Sequence, residues 1–197
     1  MDFGTAIILA GGKSSRMGFD KQCLKINNQL LIEITLKSLS DIFSDIIVVT
    51  NKCELYKDLD VRVTSDIIKQ KGPLSGFHAG LALCESTFSY VIACDMPTIN
   101  IDYIKYMINA IKTSQKNLQA CVTLYKDHLE PFNAFYNKNI FSKLESYLKN
   151  DTIKNKSIYS FIQTLDTLYI EEQKAKLFSP SWDMFKNINS TDDLKNI

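Results

Sequence analysis

The chain has 197 residues, of which 45% are hydrophobic and 23% charged, and its 23 basic and 22 acidic side chains give a formal net charge of +1. This composition predicts a single globular domain over residues 1–197 and excludes extensive disorder. A chain without a basic excess is poorly suited to capture a polyanion, and its longest apolar runs fall far short of the roughly 18 residues needed to cross a bilayer. We therefore expect neither nucleic acid nor a membrane as a partner.

The five cysteines are scattered along the chain, and no two stand in C-x-x-C spacing. An odd, scattered set argues against a disulfide framework and a zinc site, and it favours reduced, mostly buried thiols. The N-terminus lacks the basic segment that opens a signal peptide. These features predict a cytoplasmic protein.

The hydrophobic pattern predicts strands that alternate with helices. In chain order we predict a strand at 4–10, a helix at 30–43, strands at 45–50 and 60–64, a helix at 74–85, a strand at 89–94, a helix at 101–111, strands at 119–125 and 132–136, and a helix at 139–149. Gly76 and Gly80 interrupt the helix predicted at 74–85 and indicate close approach of another element. The polar, lysine-rich stretch 149–157 is typical of an exposed loop.

Strands alternating with helices of about 10–15 residues predict an α/β fold. We expect a three-layer, Rossmann-like arrangement, with a mostly parallel central sheet and helices on both faces. Such sheets bind ligands beyond the carboxyl ends of their strands. The segments expected there are 11–21, 51–52, 65–76 and 95–98, and they hold most of the unusual polar chemistry of the chain.

The loop after the first strand, Leu9-Ala-Gly-Gly-Lys-Ser-Ser-Arg-Met-Gly-Phe-Asp-Lys21, matches neither of two common phosphate motifs. A Walker A loop requires glycine five positions before Gly12, where Ile7 stands. The dinucleotide motif G-x-G-x-x-G requires glycine two positions after Gly11, where Lys13 stands.

Phosphate binding is nevertheless the interpretation that this loop favours. The pair Gly11–Gly12 allows successive backbone amides to turn toward one point, which makes an anion-binding nest. Arg16 offers a planar fork of donors, and Lys13 and Lys21 offer point charges. The alternative is a strand-to-helix loop with solvated bases.

Five segments, in order along nearly the whole chain, resemble the motifs of the molybdenum cofactor guanylyltransferase family, whose members have the nucleotide-diphospho-sugar transferase fold. The five are the Leu9–Lys21 loop, Val49-Thr-Asn51 (V-x-N), Asp66 with Gly72-Pro-Leu-Ser-Gly76 (D…G-P-L-x-G), Cys94-Asp-Met-Pro97 (C-D-x-P), and Phe185-Lys-Asn-Ile-Asn-Ser-Thr-Asp-Asp-Leu194 (F-x-N-[IV]-N-x-x-[DE]-[DE]-L).

The resemblance implies that GMP is transferred from GTP to the terminal phosphate of molybdopterin or Mo-molybdopterin, with release of pyrophosphate. It implies Mg²⁺ as the cofactor. A further partner follows from it, either an enzyme that delivers molybdopterin or a molybdoenzyme chaperone. Catalysis of this kind depends on positioning and charge neutralisation rather than on covalent chemistry.

The resemblance also assigns roles on the nucleotide side. Asp95 is the expected Mg²⁺ ligand and, with Lys21 and Arg16, a catalytic residue. The alternative for Asp95 is a turn before Pro97, and for Asp66 it is a loop cap. The expected nucleotide-binding residues are Leu9, Ala10, Gly11, Gly12, Lys13, Lys21, Asn51, Asp66, Gly72, Pro73, Leu74, Gly76 and Asp95.

On the acceptor side the expected residues are Asn187, Asn189, Lys154 and Lys156. A capping box at 190–193, with Asn189 in its turn, is the alternative for the closing motif. The chain departs from the family in two places. Lysines stand where an arginine-rich element is usual, and Glu130-Pro131 replaces the usual histidine-proline.

Two other functions stay open at this point. One is a related nucleotidyltransferase that uses CTP, as a molybdopterin cytidylyltransferase does, or a sugar-phosphate acceptor. The other is a nucleotide-binding module without turnover. The closing motif Phe185–Leu194 favours the molybdopterin branch, and the presence of Lys21 and Asp95 favours turnover.

Overall fold

A computed structural model describes residues 2–11, 21–26, 28–69, 71–126, 128–188 and 193. The strands are β1 Thr5–Leu9, β2 Lys25–Ile26, β3 Gln29–Leu30, β4 Asp45–Val49, β5 Arg62–Thr64, β6 Phe88–Ala93, β7 Ala120–Tyr125, β8 His128–Asn137 and β9 Thr167–Ile170. The α-helices are α1 Leu31–Ser40, α2 Pro73–Leu83, α3 Ile101–Thr113, α4 Phe141–Lys149, α5 Ile158–Ile162 and α6 Glu172–Ala175.

Seven strands form one sheet in the order β5-β4-β1-β6-β8-β7-β9, and β2 and β3 form a separate hairpin. In the large sheet β8 runs antiparallel to both of its neighbours, while the other paired strands are parallel. The predicted mostly parallel α/β fold is therefore confirmed.

Two apolar cores cover the two faces of this sheet, as a three-layer architecture requires. Successive residues of β1 point to opposite faces. Ile8 belongs to the core that includes Leu39 of α1 and Met107 of α3, whereas Ile7 belongs to the core that includes Phe77 of α2 and Leu144 of α4. Strands buried on both faces explain why the sequence reads as continuous apolar runs.

Gly80 allows α2 to lie directly on β1. A Cβ at this position would stand 2.4 Å from Cγ2 of Ile7 and 3.3 Å from Cγ2 of Val49. Both of those residues are buried, so they have no solvent-filled space into which to move. The close approach that the glycines of this helix predicted is confirmed at Gly80.

The short elements are the ones that the sequence pattern missed. The hairpin of β2 and β3, the helices α5 and α6, and the strand β9 are all too short to show a period. The strand predicted at 132–136 is longer, because β8 begins at His128 and continues through a register shift and a left-handed residue, Asn133 (φ 56°). A bulge of this kind hides the alternation of side chains.

All five cysteines lie among the described residues and are free thiols. Cys84, Cys94 and Cys121 are buried, while Cys23 and Cys53 are exposed. Across the described part of the chain, each helix is too short or too polar to cross a bilayer.

Candidate active site

The parallel strands β1, β4, β5 and β6 end at one edge of the sheet, which we name the carboxyl edge. Leu9 pairs with Val49 on one side and with Ala93 on the other, and Val49 pairs with Thr64. Past the strands, the amide of Ala10 donates to the carbonyl of Val49 at 2.9 Å. The segments that follow the strands therefore leave the sheet side by side, where a ligand site is expected.

The glycine loop begins at this edge. Leu9 and Ala10 are buried and Gly11 is exposed, so the chain reaches the surface at the first glycine of the pair. The predicted phosphate-binding residues Gly12, Lys13 and Arg16 lie outside the described residues.

The chain returns to the carboxyl edge in a 3-10 turn at Lys21–Cys23. Gln22 Oε1 accepts hydrogen bonds from the hydroxyls of Thr50 at 2.6 Å and Tyr56 at 2.9 Å. Thr50 directly follows β4, so the backbone at Lys21 lies near the end of that strand, whereas its side chain is not among the described atoms. Sequence reasoning gave Gln22 no role, because a pairing across 28 residues leaves no periodic signal.

Asn51 and Asp66, which follow β4 and β5, are joined by a side-chain hydrogen bond. Burial raises the pKa of the Asp66 carboxyl above its ordinary value of 3.8, while the hydrogen bond from Asn51 and the charge of Lys69 act in the opposite direction. Because an ionised carboxylate only accepts, the amide of Asn51 is the donor. The pair presents polar acceptors beside the apolar end of β1.

The N-terminus of α2 opens onto the same edge. Gly72 precedes the helix with φ 61°, a left-handed backbone that favours glycine, and Pro73 occupies the first helical turn, where no amide partner is needed. Ser75 Oγ accepts from the amide of Lys71 at 3.1 Å, and Leu74 is buried, which fixes this turn. The first backbone amides of the helix carry partial positive charge.

Gly76 is the point at which α2, the strand ends and the Asn51–Asp66 pair converge. A Cβ there would stand 3.5 Å from the side chains of Leu9 and Val49 and 3.7 Å from Oδ1 of Asp66. Gly76 is itself buried, so the helix packs closely between an apolar floor and a carboxylate at this point.

Asp95 follows β6 at the centre of the carboxyl edge, and only 8% of its surface is exposed. The turn that holds it is closed by the amide of Met96, which donates to the carbonyl of Ala93 at 3.2 Å. Within the described ranges, no three or more histidine, cysteine or acidic side chains cluster closely enough to form a metal site. An ion bound by Asp95 would therefore take further ligands from substrate oxygens and water, which is usual for Mg²⁺.

The closing segment of the chain is attached to the same place. The amide of Ile188 donates to the carbonyl of Asp95 at 2.8 Å, and the Ile188 side chain is buried with Leu24 and Leu31. This contact places Asn187, which is exposed, next to the backbone of Asp95. Asn189 lies outside the described residues.

The two predicted acceptor lysines lie in the loop between α4 and α5. Lys154 is exposed, and Lys156 Nζ donates to the carbonyl of Ile153 at 3.2 Å. Because β8 runs antiparallel, α4 leads the chain back toward the carboxyl edge, and this loop follows it. Contacts in the structure thus join the described nucleotide-binding residues to one another. The two lysines are placed near them only by the path of the chain.

A mostly parallel sheet with helices on both faces, and with Asn51, Asp66 and Asp95 at its carboxyl edge, is the fold of an α/β nucleotidyltransferase. The chain belongs to the family of the MobA-like NTP transferase domain, whose sequence model matches residues 6–168. Two relatives extend the match over nearly the whole chain. A probable molybdenum cofactor guanylyltransferase of Peptoclostridium acidaminophilum is 50% identical and aligns with 98% of this chain and 87% of its own. The molybdenum cofactor guanylyltransferase of Syntrophotalea carbinolica is 46% identical, with 99% and 90% aligned.

Solved structures share the fold. Molybdopterin-guanine dinucleotide biosynthesis protein A from Archaeoglobus fulgidus superposes with a TM-score of 0.80 at 24% identity, over 98% of this chain and 95% of that one. The 2-C-methyl-D-erythritol 4-phosphate cytidylyltransferase of Francisella tularensis reaches 0.68 at 16% identity, over 100% and 98%. The same architecture therefore serves enzymes named for different nucleotides, and the nucleotide has to be argued from the site.

Proposed function

We propose that this chain transfers GMP from GTP to the terminal phosphate of molybdopterin. An oxygen of the acceptor phosphate attacks the α-phosphorus of GTP, the bond from that phosphorus to the bridging β-phosphate oxygen breaks, and pyrophosphate leaves with the bonding electron pair. The names of the relatives, which are 46–50% identical, support this choice of nucleotide and acceptor.

The observation that carries the proposal is the register of β1, β4, β5 and β6. It brings the ends of four strands together, and with them Asn51, Asp66 and Asp95. A base-binding group and a metal-binding group on one rigid edge can hold the two ends of a nucleotide at a fixed spacing.

The base end of the site favours guanine on chemical grounds. Guanine presents two adjacent donors, N1–H and the 2-amino group, and an ionised carboxylate such as that of Asp66 accepts both. Cytosine lacks this pair of donors on its pairing edge. The apolar side chain of Leu9, which lies at the same point of α2 as the carboxylate, would support the flat ring of the base.

The phosphate end depends on positive charge. Gly11 and Gly12 would turn backbone amides toward the triphosphate, and Lys13, Arg16 and Lys21 would neutralise it. Two anions have to meet in this reaction, and charge also develops on the leaving pyrophosphate. Donors held in place before the reaction stabilise that charge most effectively.

Asp95 fits a magnesium ion, because a single hard carboxylate oxygen beside a phosphate site is the ligand set from which Mg²⁺ is usually held. When bound, the ion would polarise the α-phosphate and screen the incoming phosphate. The buried turn at Asp95, closed by the amides of Met96 and Ile188, would keep the carboxylate directed at one point.

The acceptor would lie on the far side of Asp95 from the base. Asn187 and Asn189 can each donate and accept, which suits the polar edges of a pterin. Lys154 and Lys156 would neutralise its phosphate, but without the bidentate fork that arginine makes.

Pyrophosphate release tests the proposal. The chain with Mg²⁺ is supplied with molybdopterin or its molybdenum form, and GTP is compared with CTP. We expect release with GTP and at least about tenfold less with CTP, since one lost hydrogen bond to a charged group costs about 1.5–3 kcal/mol. Preference for CTP, or for a sugar phosphate as acceptor, would identify a related nucleotidyltransferase instead. Nucleotide binding without release would indicate a binding module.

A further inference from the structure

The 3-10 turn Lys21–Cys23 is held from two directions by polar contacts. On one side Leu24, the next residue, accepts a backbone hydrogen bond from Leu31 at 2.8 Å, which ties the turn to the start of α1. On the other side Gln22 Oε1 accepts the hydroxyls of Thr50 and Tyr56 at 2.6 and 2.9 Å. One carbonyl oxygen thus receives two donors from the segment that follows β4.

Both donors are rigidly placed. Thr50 and Tyr56 are each 1% exposed, and the amide of Thr50 donates to Thr64 of β5 at 2.8 Å. The hydroxyl of Thr50 also accepts from the amide of Lys52 at 3.0 Å, and so it fixes the turn that contains Asn51. Gln22 therefore rests on groups whose positions are set by the sheet.

These contacts join the two ends of the nucleotide site. Lys21, which precedes Gln22, is assigned to the triphosphate, and Asn51, which follows Thr50, donates to Asp66, which is assigned to the base. The distance between phosphate and base within one nucleotide is fixed by its chemistry. A link between the two protein segments holds both at the spacing that the nucleotide requires. Binding then loses no conformational entropy in ordering the turn.

We propose that Gln22 is a positioning residue that sets the phosphate-binding turn at Lys21 against the base-binding turn at Asn51. This inference rests on the proposed function of the site as a GTP site. It predicts that losing the Gln22 carbonyl weakens the binding of the phosphates and leaves the binding of the base intact.

The test compares two probes, GTP with Mg²⁺ and guanosine, which carries the base and ribose without phosphate. In Gln22→Leu we expect the Kd and KM for GTP to rise about tenfold, as two lost hydrogen bonds imply. The Kd for guanosine is expected to stay within about twofold of the unchanged chain. An equal loss for both probes, or no loss for either, would overturn the proposal.

A double-mutant cycle with Tyr56→Phe separates this role from general stability, because phenylalanine keeps the buried ring and removes only the hydroxyl. Alone, it should raise the Kd for GTP about threefold; added to Gln22→Leu, it should raise it no further, because the shared bond is already lost. Additive effects would overturn the proposal. If Gln22→Leu fails to fold, Tyr56→Phe decides alone, and an unchanged GTP affinity contradicts the inference.

The same experiment distinguishes the two proposals. Absence of GTP binding by the unchanged chain would refute the proposed function. Normal GTP binding and turnover by that chain, with an unaffected Gln22→Leu variant, would refute only the role of Gln22.

Discussion

The two halves of the candidate site are built in different ways. On the nucleotide side, Asn51, Asp66 and Asp95 each follow a strand whose register with its neighbour is fixed by backbone pairing. On the acceptor side, Asn187 is positioned through one backbone hydrogen bond, from Ile188 to Asp95 at 2.8 Å. The lysines Lys154 and Lys156 lie in a loop.

This difference indicates how firmly each half is specified. A position fixed by a strand paired within the sheet cannot shift by one residue without moving every side chain of that strand to the other face of the sheet. A position on a loop shifts at little cost, because few contacts resist it. We therefore expect changes on the nucleotide side to have large, specific effects and changes on the acceptor side to have small ones.

The largest effect is expected from Asp95→Asn, which keeps the shape of the side chain and removes its charge. Turnover should fall by about 10²–10³-fold, as when one preorganised electrostatic group is lost. The measurement is pyrophosphate release at saturating GTP and acceptor, with exposed Asp58→Asn as the matched control. Turnover within about threefold of the unchanged chain would remove Asp95 from the site.

Asp66→Asn should raise the KM for GTP by about 10- to 100-fold, since hydrogen bonds to a charged group are worth about 1.5–3 kcal/mol. Unlike Asp95→Asn, it should leave kcat nearly unchanged, because the base is remote from the reacting phosphorus. A fall in kcat with an unchanged KM would contradict this assignment.

The same variant should be more stable than the unchanged chain at neutral pH. Burial raises the pKa of Asp66 in the folded state, so at pH values between the unfolded and folded pKa the folded chain holds a proton that the unfolded chain has released. Stability is therefore lost as pH rises from the ordinary value of 3.8 through the raised folded value, whereas the amide of the Asp66→Asn variant does not titrate. The Tm difference between the two proteins, measured against pH, should increase across this window and then stay constant.

The sequence could predict the nucleotide side because residues that directly follow parallel strands lie at the carboxyl edge of the sheet, where such sheets bind ligands. Asn51, Asp66 and Asp95 stand directly after predicted strands, or within two residues of one, and their short motifs occur in order. It could not predict the junction of Gln22 with Thr50 and Tyr56, because these side chains meet only through the fold.

The acceptor side resisted prediction for a different physical reason. Its residues lie in loops beside short elements, such as α5, which carry too few residues to show a helical or strand period. The bulge around Asn133, whose side chain accepts from Tyr90 at 2.6 Å and donates to the carbonyl of Met184 at 3.1 Å, likewise has no sequence signature. The closing segment of the chain is nevertheless held at this bulge through the carbonyl of Met184.

Within the nucleotide side, substitutions at two glycines of α2 should distinguish an effect on stability from an effect on GTP binding. Gly80→Ala should cost about 1–3 kcal/mol of unfolding free energy, because its methyl group would overlap Ile7 in a packed core. Gly76→Ala meets only ordinary contacts, so its stability should change by less than about 1 kcal/mol, while the added methyl group, 3.7 Å from Oδ1 of Asp66, raises the KM for GTP. Urea unfolding and steady-state kinetics measure the two effects. The reverse pattern would show that Gly76 is not at the base pocket.

The smallest effect is expected from the double variant Lys154→Ala/Lys156→Ala. The exposed charge of Lys154 and the half-buried charge of Lys156 contribute about 0.2–1 kcal/mol each, so the KM for molybdopterin should rise by about two- to tenfold while the KM for GTP is unchanged. Raising the salt concentration should reduce the difference from the unchanged chain, because exposed charges are screened. The matched control is Lys116→Ala/Lys138→Ala, which removes two exposed lysines at the opposite edge of the sheet. An equal change in that control would mean that the effect comes from general charge and not from Lys154 and Lys156. A loss larger than the one in Asp66→Asn would mean that the acceptor side is as firmly specified as the nucleotide side.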